Sequence, residues 1–181
     1  MRTLSINDNQ RRNVVPATLA VSRTLLKILI ILNILFGILF LLVLAGSFAA
    51  EQQVLARLNP ERIDPASILT GVRAVMAIGI VAVPLAHVLL TRLLAIVETV
   101  RAGDPFVAGN AGRLGVIAWA LLGLQILDLA FGAVALSLFS DADGMDWTFS
   151  LTGWLAVLML FVIARVFEQG ARMRDELEGT V

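Results

Sequence analysis

The chain has 181 residues, of which 59% are hydrophobic and 15% charged, with a mean hydropathy of +0.89. A soluble domain carries roughly half apolar and a quarter charged residues, so this composition excludes an ordinary water-soluble fold and points to one membrane domain. The formal net charge is zero, no cysteine occurs and His87 is the single histidine, which excludes a global field steering direct nucleic-acid binding, thiol chemistry and a multi-histidine metal site in one chain.

Residues 1–15 are polar and without an apolar period, which predicts a flexible cytoplasmic segment or one lying on the membrane surface, with Pro16 beginning the first helix. Four apolar runs follow, at 28–50, 74–91, 114–139 and 147–164. Each is near or above the ~20 residues an α-helix needs to cross ~30 Å of hydrocarbon. Helices are required there, because lipid offers the backbone no hydrogen-bond partners. The first run is longer than the apolar core of about 7–15 residues in a secretory signal, so it is expected to stay as a span despite Ser47-Phe48-Ala49 near its end.

The segment from Glu51 to Pro65 reads as a short helix and a turn, and Asp64-Pro65 as the cap and first turn of the next helix. Beyond the second run, Leu93, Leu94, Ile96, Val97 and Val100 alternate with Arg92, Glu98 and Arg101, which extends helix 2 by about two amphipathic turns. Gly103 suits a C-terminal cap and Asp104-Pro105 an N-terminus, so a tight hairpin is expected with Phe106 at its tip. Ser140 to Asp146 is an acidic turn that would cap helix 4; it is too short for a calcium loop and lacks the distal Glu. Helix 4 is expected to continue past Arg165 through Phe167, Ala171 and Arg174 and to end near Gly179, making 165–181 a cytoplasmic helix and tail.

Of the 14 Lys and Arg residues, 11 lie before the first run, between the second and third, or after the fourth. The other 3, Arg57, Arg62 and Arg73, flank the opposite ends. The positive-inside rule then places both termini in the cytoplasm. The fold class is all-α: an integral membrane bundle of four transmembrane helices in the lipid bilayer, with cytoplasmic extensions of helices 2, 3 and 4.

Ionisable and amide groups inside spans are costly and are functional candidates by default. Counted at ~1.5 Å per residue, Asn33 and His87 share a depth, which predicts a hydrogen bond between them across helices 1 and 2. Asp128 lies deep in the third span with Gln125 one turn below. A pair between Asp128 and Arg73 is the expected structural reading, with Gln125, Ser150 or Thr152 completing its hydrogen bonds. The competing reading is an ion, proton or ligand path through Asp128, Gln125 and His87, as in a small transporter or an accessory subunit of one. Gly37, Gly46, Gly79, Gly115, Gly123 and Gly132 offer small faces for close helix packing. Trp119, Trp147 and Trp154 fit interfacial anchoring or packing and imply no cofactor. No Ser-His-Asp set, HExxH or phosphate-binding loop is present, so no enzyme activity is expected.

The segment Arg101-Ala102-Gly103-Asp104-Pro105-Phe106-Val107-Ala108-Gly109-Asn110-Ala111-Gly112-Arg113-Leu114 and the ending from Val166 to Val181 resemble a bacterial membrane family, domain of unknown function 2975. The resemblance is taken to cover all four spans, with its specific part in the turn and the tail. Gly179 stands where members carry an apolar residue, and the tail lacks their asparagine. Members are often encoded beside a small helix-turn-helix regulator, which the resemblance implies as a cytoplasmic partner. Candidate contacts for such a partner are Asp104, Pro105, Phe106, Asn110, Phe167, Arg172, Arg174 and Glu176. Oligomeric state is left open, a homo-oligomer included.

Overall fold

The computed structural model describes residues 5–53, 65–103, 107–138 and 147–178. It is all-helical among these residues, with four long helices: α1 (Ser5–Ala49), α2 (Pro65–Arg101), α3 (Ala108–Leu138) and α4 (Leu151–Glu178). All four are long and apolar enough to cross a membrane. With 28 residues α4 is the shortest, and at ~1.5 Å per residue it is still about 42 Å long, more than the ~30 Å of hydrocarbon.

Local chemistry accounts for the helix ends. Gly103 adopts φ +90°, the conformation a glycine takes most cheaply, and its N–H bonds the Val100 carbonyl at 3.2 Å to close α2. Pro65 opens α2, where its missing N–H would have had no helical partner in any case. At α4 the Ser150 hydroxyl accepts the Gly153 N–H at 3.3 Å. The helix thus starts at Leu151 rather than at Trp147 as its hydropathy suggests, because its cap is Ser150 and not the acidic turn. α1 departs more widely from expectation: it begins at Ser5 and runs through Pro16. Residues 5–15 contain neither Gly nor Pro to stop a helix from propagating toward the N-terminus, and Pro16 removes one ladder bond.

The helices pack in chain order, α1 on α2, α2 on α3 and α3 on α4, and α1 and α4 do not form a fourth seam among the described residues. The expected four-helix bundle is thus built as a series of three seams among the described residues, without an α1–α4 seam to close it. In lipid there is no hydrophobic gain from closing it, so the seams are set by fit between particular side chains. All three run antiparallel. Arg23 faces Glu98, Asn33 faces Val83 and Ser47 faces Arg73 across α1–α2; Thr99 meets Asn110 and Leu85 meets Gly123 across α2–α3; Gln125 meets Gly153 and Trp119 meets Phe161 across α3–α4. The start of α1 and the end of α4 consequently lie at the same end of the layer as the α2–α3 hairpin.

Buried side chains concentrate on α3, where Ala111, Ile117, Ala118, Ala120 and Ala135 are at most 9% exposed. Four of these are alanines, small enough to let α2 and α4 close on either side. The outer faces stay apolar and open, as with Leu42 at 65% and Leu158 at 61% exposure, which suits lipid contact.

Gly37, Gly79, Gly123 and Gly132 are packing glycines as expected: Val83, Phe40, Leu85 and Trp147 occupy the space where a Cβ would stand. Gly46 and Gly115 are not, since nothing lies within 4 Å of a Cβ at either.

Candidate functional site

The most buried polar residue is Asn110, 1% exposed, at the base of the α2–α3 hairpin. Its Nδ2 donates to the Thr99 hydroxyl at 2.8 Å, and the Thr99 hydroxyl donates to the Ile96 carbonyl at 2.8 Å. From the other side the Arg113 guanidinium donates to Asn110 Oδ1 at 2.8 Å. This relay ties the last turns of α2 to the first turn of α3. Asn110 is therefore a clamp within the hairpin rather than a contact for a partner: its short amide faces α2, and no surface of it is left to offer.

A second polar cluster stands at the opposite end of the α1–α2 seam. Arg73 bonds Glu51 at 3.0 Å, the Ser47 carbonyl at 2.8 Å and the Ser47 hydroxyl at 3.2 Å, with its guanidinium 3.9 Å from the Phe48 ring centroid. The expected pair with Asp128 is absent. Asp128 lies level with Ile78, Gly79 and Ala82, one to two turns farther along α2, or roughly 9 Å at 1.5 Å per residue. Arg73 turns to α1, where a carboxylate, a carbonyl and an aromatic face satisfy it together.

The intramembrane candidates fall apart from one another. Asp128 is half-buried and has no hydrogen bond or ion pair among the described residues; it lines an open-sided cavity of about 330 Å³ between α1, α2 and α3. Gln125 turns to the other side of α3, against Gly153, and its buried Nε2 lacks a partner among the described residues. Three residues on a helix differ by ~60° in direction, which on a helix packed on two sides separates neighbouring seams. His87 lines a third space, about 420 Å³ between α1 and α2, together with Ile34, Pro84 and Val88. Asn33 shares its level but donates to the Val83 carbonyl at 3.1 Å instead of to the ring. A carbonyl has two lone pairs and can accept this amide beside its helical N–H. Among the described residues, Asp128, Gln125 and His87 line separate spaces.

A groove of about 740 Å³ lies along α3–α4, toward the hairpin end, with Gly112 and Gly115 on one wall. Trp119 and Phe161, edge to face with centroids 5.3 Å apart, form its apolar end. Arg165 and Glu168 form its polar end, bonded at 2.9 Å, and Arg172 holds the same carboxylate at 2.7 Å. The sequence reading named Arg172 but missed Trp119, Arg165 and Glu168 as neighbours. Glu168 lies three residues after Arg165 and four before Arg172, a spacing that brings charges together on a helix face and was legible in the sequence. Phe167 is half-buried. Asp104, Pro105 and Phe106 lie outside the described residues, as do the acidic turn 141–146 and the segment 54–64, and the side chains of Arg174 and Glu176 are likewise outside them.

Four apolar helices in antiparallel series, clamped by polar residues at their ends, define a multi-pass membrane protein. The chain belongs to the family described as Protein of unknown function (DUF2975), which matches residues 49–181. The match takes in α2, α3 and α4 and leaves out the α1 span, so it is narrower than the four-span resemblance expected from the sequence. No curated protein and no solved structure matches the chain.

Proposed function

We propose that this chain is a non-catalytic protein of the bacterial inner membrane, both termini cytoplasmic, that binds a cytoplasmic protein at the end bearing the α2–α3 hairpin and the end of α4. The observation that carries this reading is the groove of about 740 Å³ between α3 and α4, which combines an exposed Trp119, packed edge to face on a half-buried Phe161, with a charged rim. An aromatic anchor point beside charges that fix orientation is the composition of a protein-docking surface. Orientation is supported by the 11-to-3 division of basic residues, and both chain ends share the basic end. The resemblance noted in the sequence names the partner class: a small helix-turn-helix regulator, held at the membrane and away from promoters. The acidic residues Asp175, Glu176 and Glu178 near the chain end suit a basic DNA-binding domain.

The test is co-expression with the helix-turn-helix protein encoded nearest to the gene, followed by purification in detergent. The two proteins are expected to co-elute, and Gly112→Leu, which fills the groove, or removal of residues 172–181 is expected to release the regulator. Association unchanged by both alterations would sink this docking site. Sidedness is checked separately: the chain lacks cysteine, so single cysteines introduced at Ser5 and at Gln52 should be labelled from the cytoplasmic and the outer side respectively.

A further inference from the structure

The Asp128 cavity belongs to neither the groove nor the clamps, and its chemistry is specific. Its walls come from three helices: Phe40 of α1, Ile78, Gly79 and Ala82 of α2, and Asp128 and Phe131 of α3. Asp128 is the one ionisable group among its lining residues. The cavity depends on a glycine, because the Phe40 ring lies against Gly79, with ring carbons 2.7 and 2.8 Å from where a Cβ would stand. Along α1, Phe40 falls roughly midway between Lys27 and Glu51, so the open-sided site lies at the middle of the apolar run.

An ionised carboxylate at that depth is strongly disfavoured unless a cation joins it. None joins it among the described residues: Arg73, the nearest guanidinium along α2, is engaged with Glu51 and Ser47. The rest of the wall suits an apolar body, and the two phenylalanine rings can face a positive charge. An open-sided space of about 330 Å³ between three helices is of the size that takes a small molecule. We propose that this cavity is a binding site for a monovalent organic cation with an apolar body, a protonated or quaternary amine that enters from the bilayer and pairs with Asp128.

The experiment uses the full chain in lipid nanodiscs and radiolabelled benzyltriethylammonium as probe. Saturable binding at one site per chain is expected, reduced roughly tenfold or more in Asp128→Asn, as the loss of a charge-assisted contact implies. Asp128→Glu should retain most of it, and benzenesulfonate, similar in size and opposite in charge, should not compete. Ala82→Phe leaves the carboxylate and fills the cavity; it should abolish binding while the circular dichroism and elution profile stay unchanged. It also keeps the test decisive if Asp128→Asn fails to fold. No saturable binding to the native chain, equal binding by Asp128→Asn, or full binding by Ala82→Phe would each overturn the assignment.

Discussion

Toward the ends of the helices three polar clusters are engaged: Asn110 with Thr99 and Arg113, Arg73 with Glu51 and Ser47, Glu168 with Arg165 and Arg172. In the middle, Asp128 and the buried amide nitrogen of Gln125 have no partner among the described residues. Depth in the membrane explains why the contrast informs. Near the ends water competes for every polar group, so a network there must hold by geometry, and its loss is felt as loss of structure. In the apolar layer nothing competes, and an unpartnered group persists at a cost that only a ligand or a protonation state relieves. The ends should therefore govern stability and the middle should govern binding.

The largest effect should come from breaking the most buried clamp. Asn110→Leu removes both hydrogen bonds at once and leaves the Arg113 guanidinium and the Thr99 hydroxyl short of a partner. A loss of about 3 kcal/mol is expected, the upper part of the range for stranding buried polar groups. Thermal unfolding in detergent measures it, and a change below about 0.5 kcal/mol would remove the distinction between ends and middle.

Next come the two glycine seats on α3–α4. Gly132→Ala would collide with the Trp147 ring and Gly153→Ala with the Gln125 amide. Overpacking of this kind costs about 1–3 kcal/mol. The two need not be equal. Both side chains are half-buried, but the Gln125 amide is the far end of a flexible side chain and can turn aside, whereas the rigid Trp147 indole must move as a whole, so Gly132→Ala is expected to be the more damaging in the same melts.

How far the sequence carried the reading follows from the same physics. Helix ends depend on local composition and on glycine or proline at an end, and Gly103, Pro65 and the run of α4 to Glu178 stand where capping and helical spacing place them. Partnerships between helices depend on angle as well as depth. Counting residues put Asn33 and His87 at one level correctly, but it could not tell that Asn33 faces the seam while His87 lines the groove beside it. The same limit produced the Asp128–Arg73 pair. Closure of the bundle was equally illegible, since apolar outer faces look alike whether lipid or another helix covers them.

That mistaken pair provides a third measurement. Arg73→Ala should lower stability by about 1 kcal/mol, a partly exposed but bidentate arrangement with Glu51 and Ser47. Asp128→Asn should leave stability unchanged or slightly raised, because an isosteric neutral group replaces an unpartnered acid. A double-mutant cycle between the two positions should show coupling below about 0.5 kcal/mol, the additivity of distant sites. Strong coupling would mean that Arg73 reaches the cavity in the membrane, and the cation site would already be filled by the chain itself.

The smallest effect on stability is expected at the groove rim, and there the two roles separate most cleanly. Arg165 and Arg172 are 75% and 73% exposed at the side chain and share one carboxylate, that of Glu168. Solvent and salt screen such pairs, so Glu168→Gln should leave the melting temperature where it was. The substitution does change the charge presented by the groove, since two guanidinium groups lose the acid between them. If a basic partner docks there, its dissociation should quicken several-fold and the difference should shrink with added salt. Measured on the same preparation, an unchanged melt with faster dissociation assigns Glu168 to recognition. An unchanged melt with unchanged dissociation places the partner elsewhere, and a lowered melt would show that this rim is a structural clamp like Asn110.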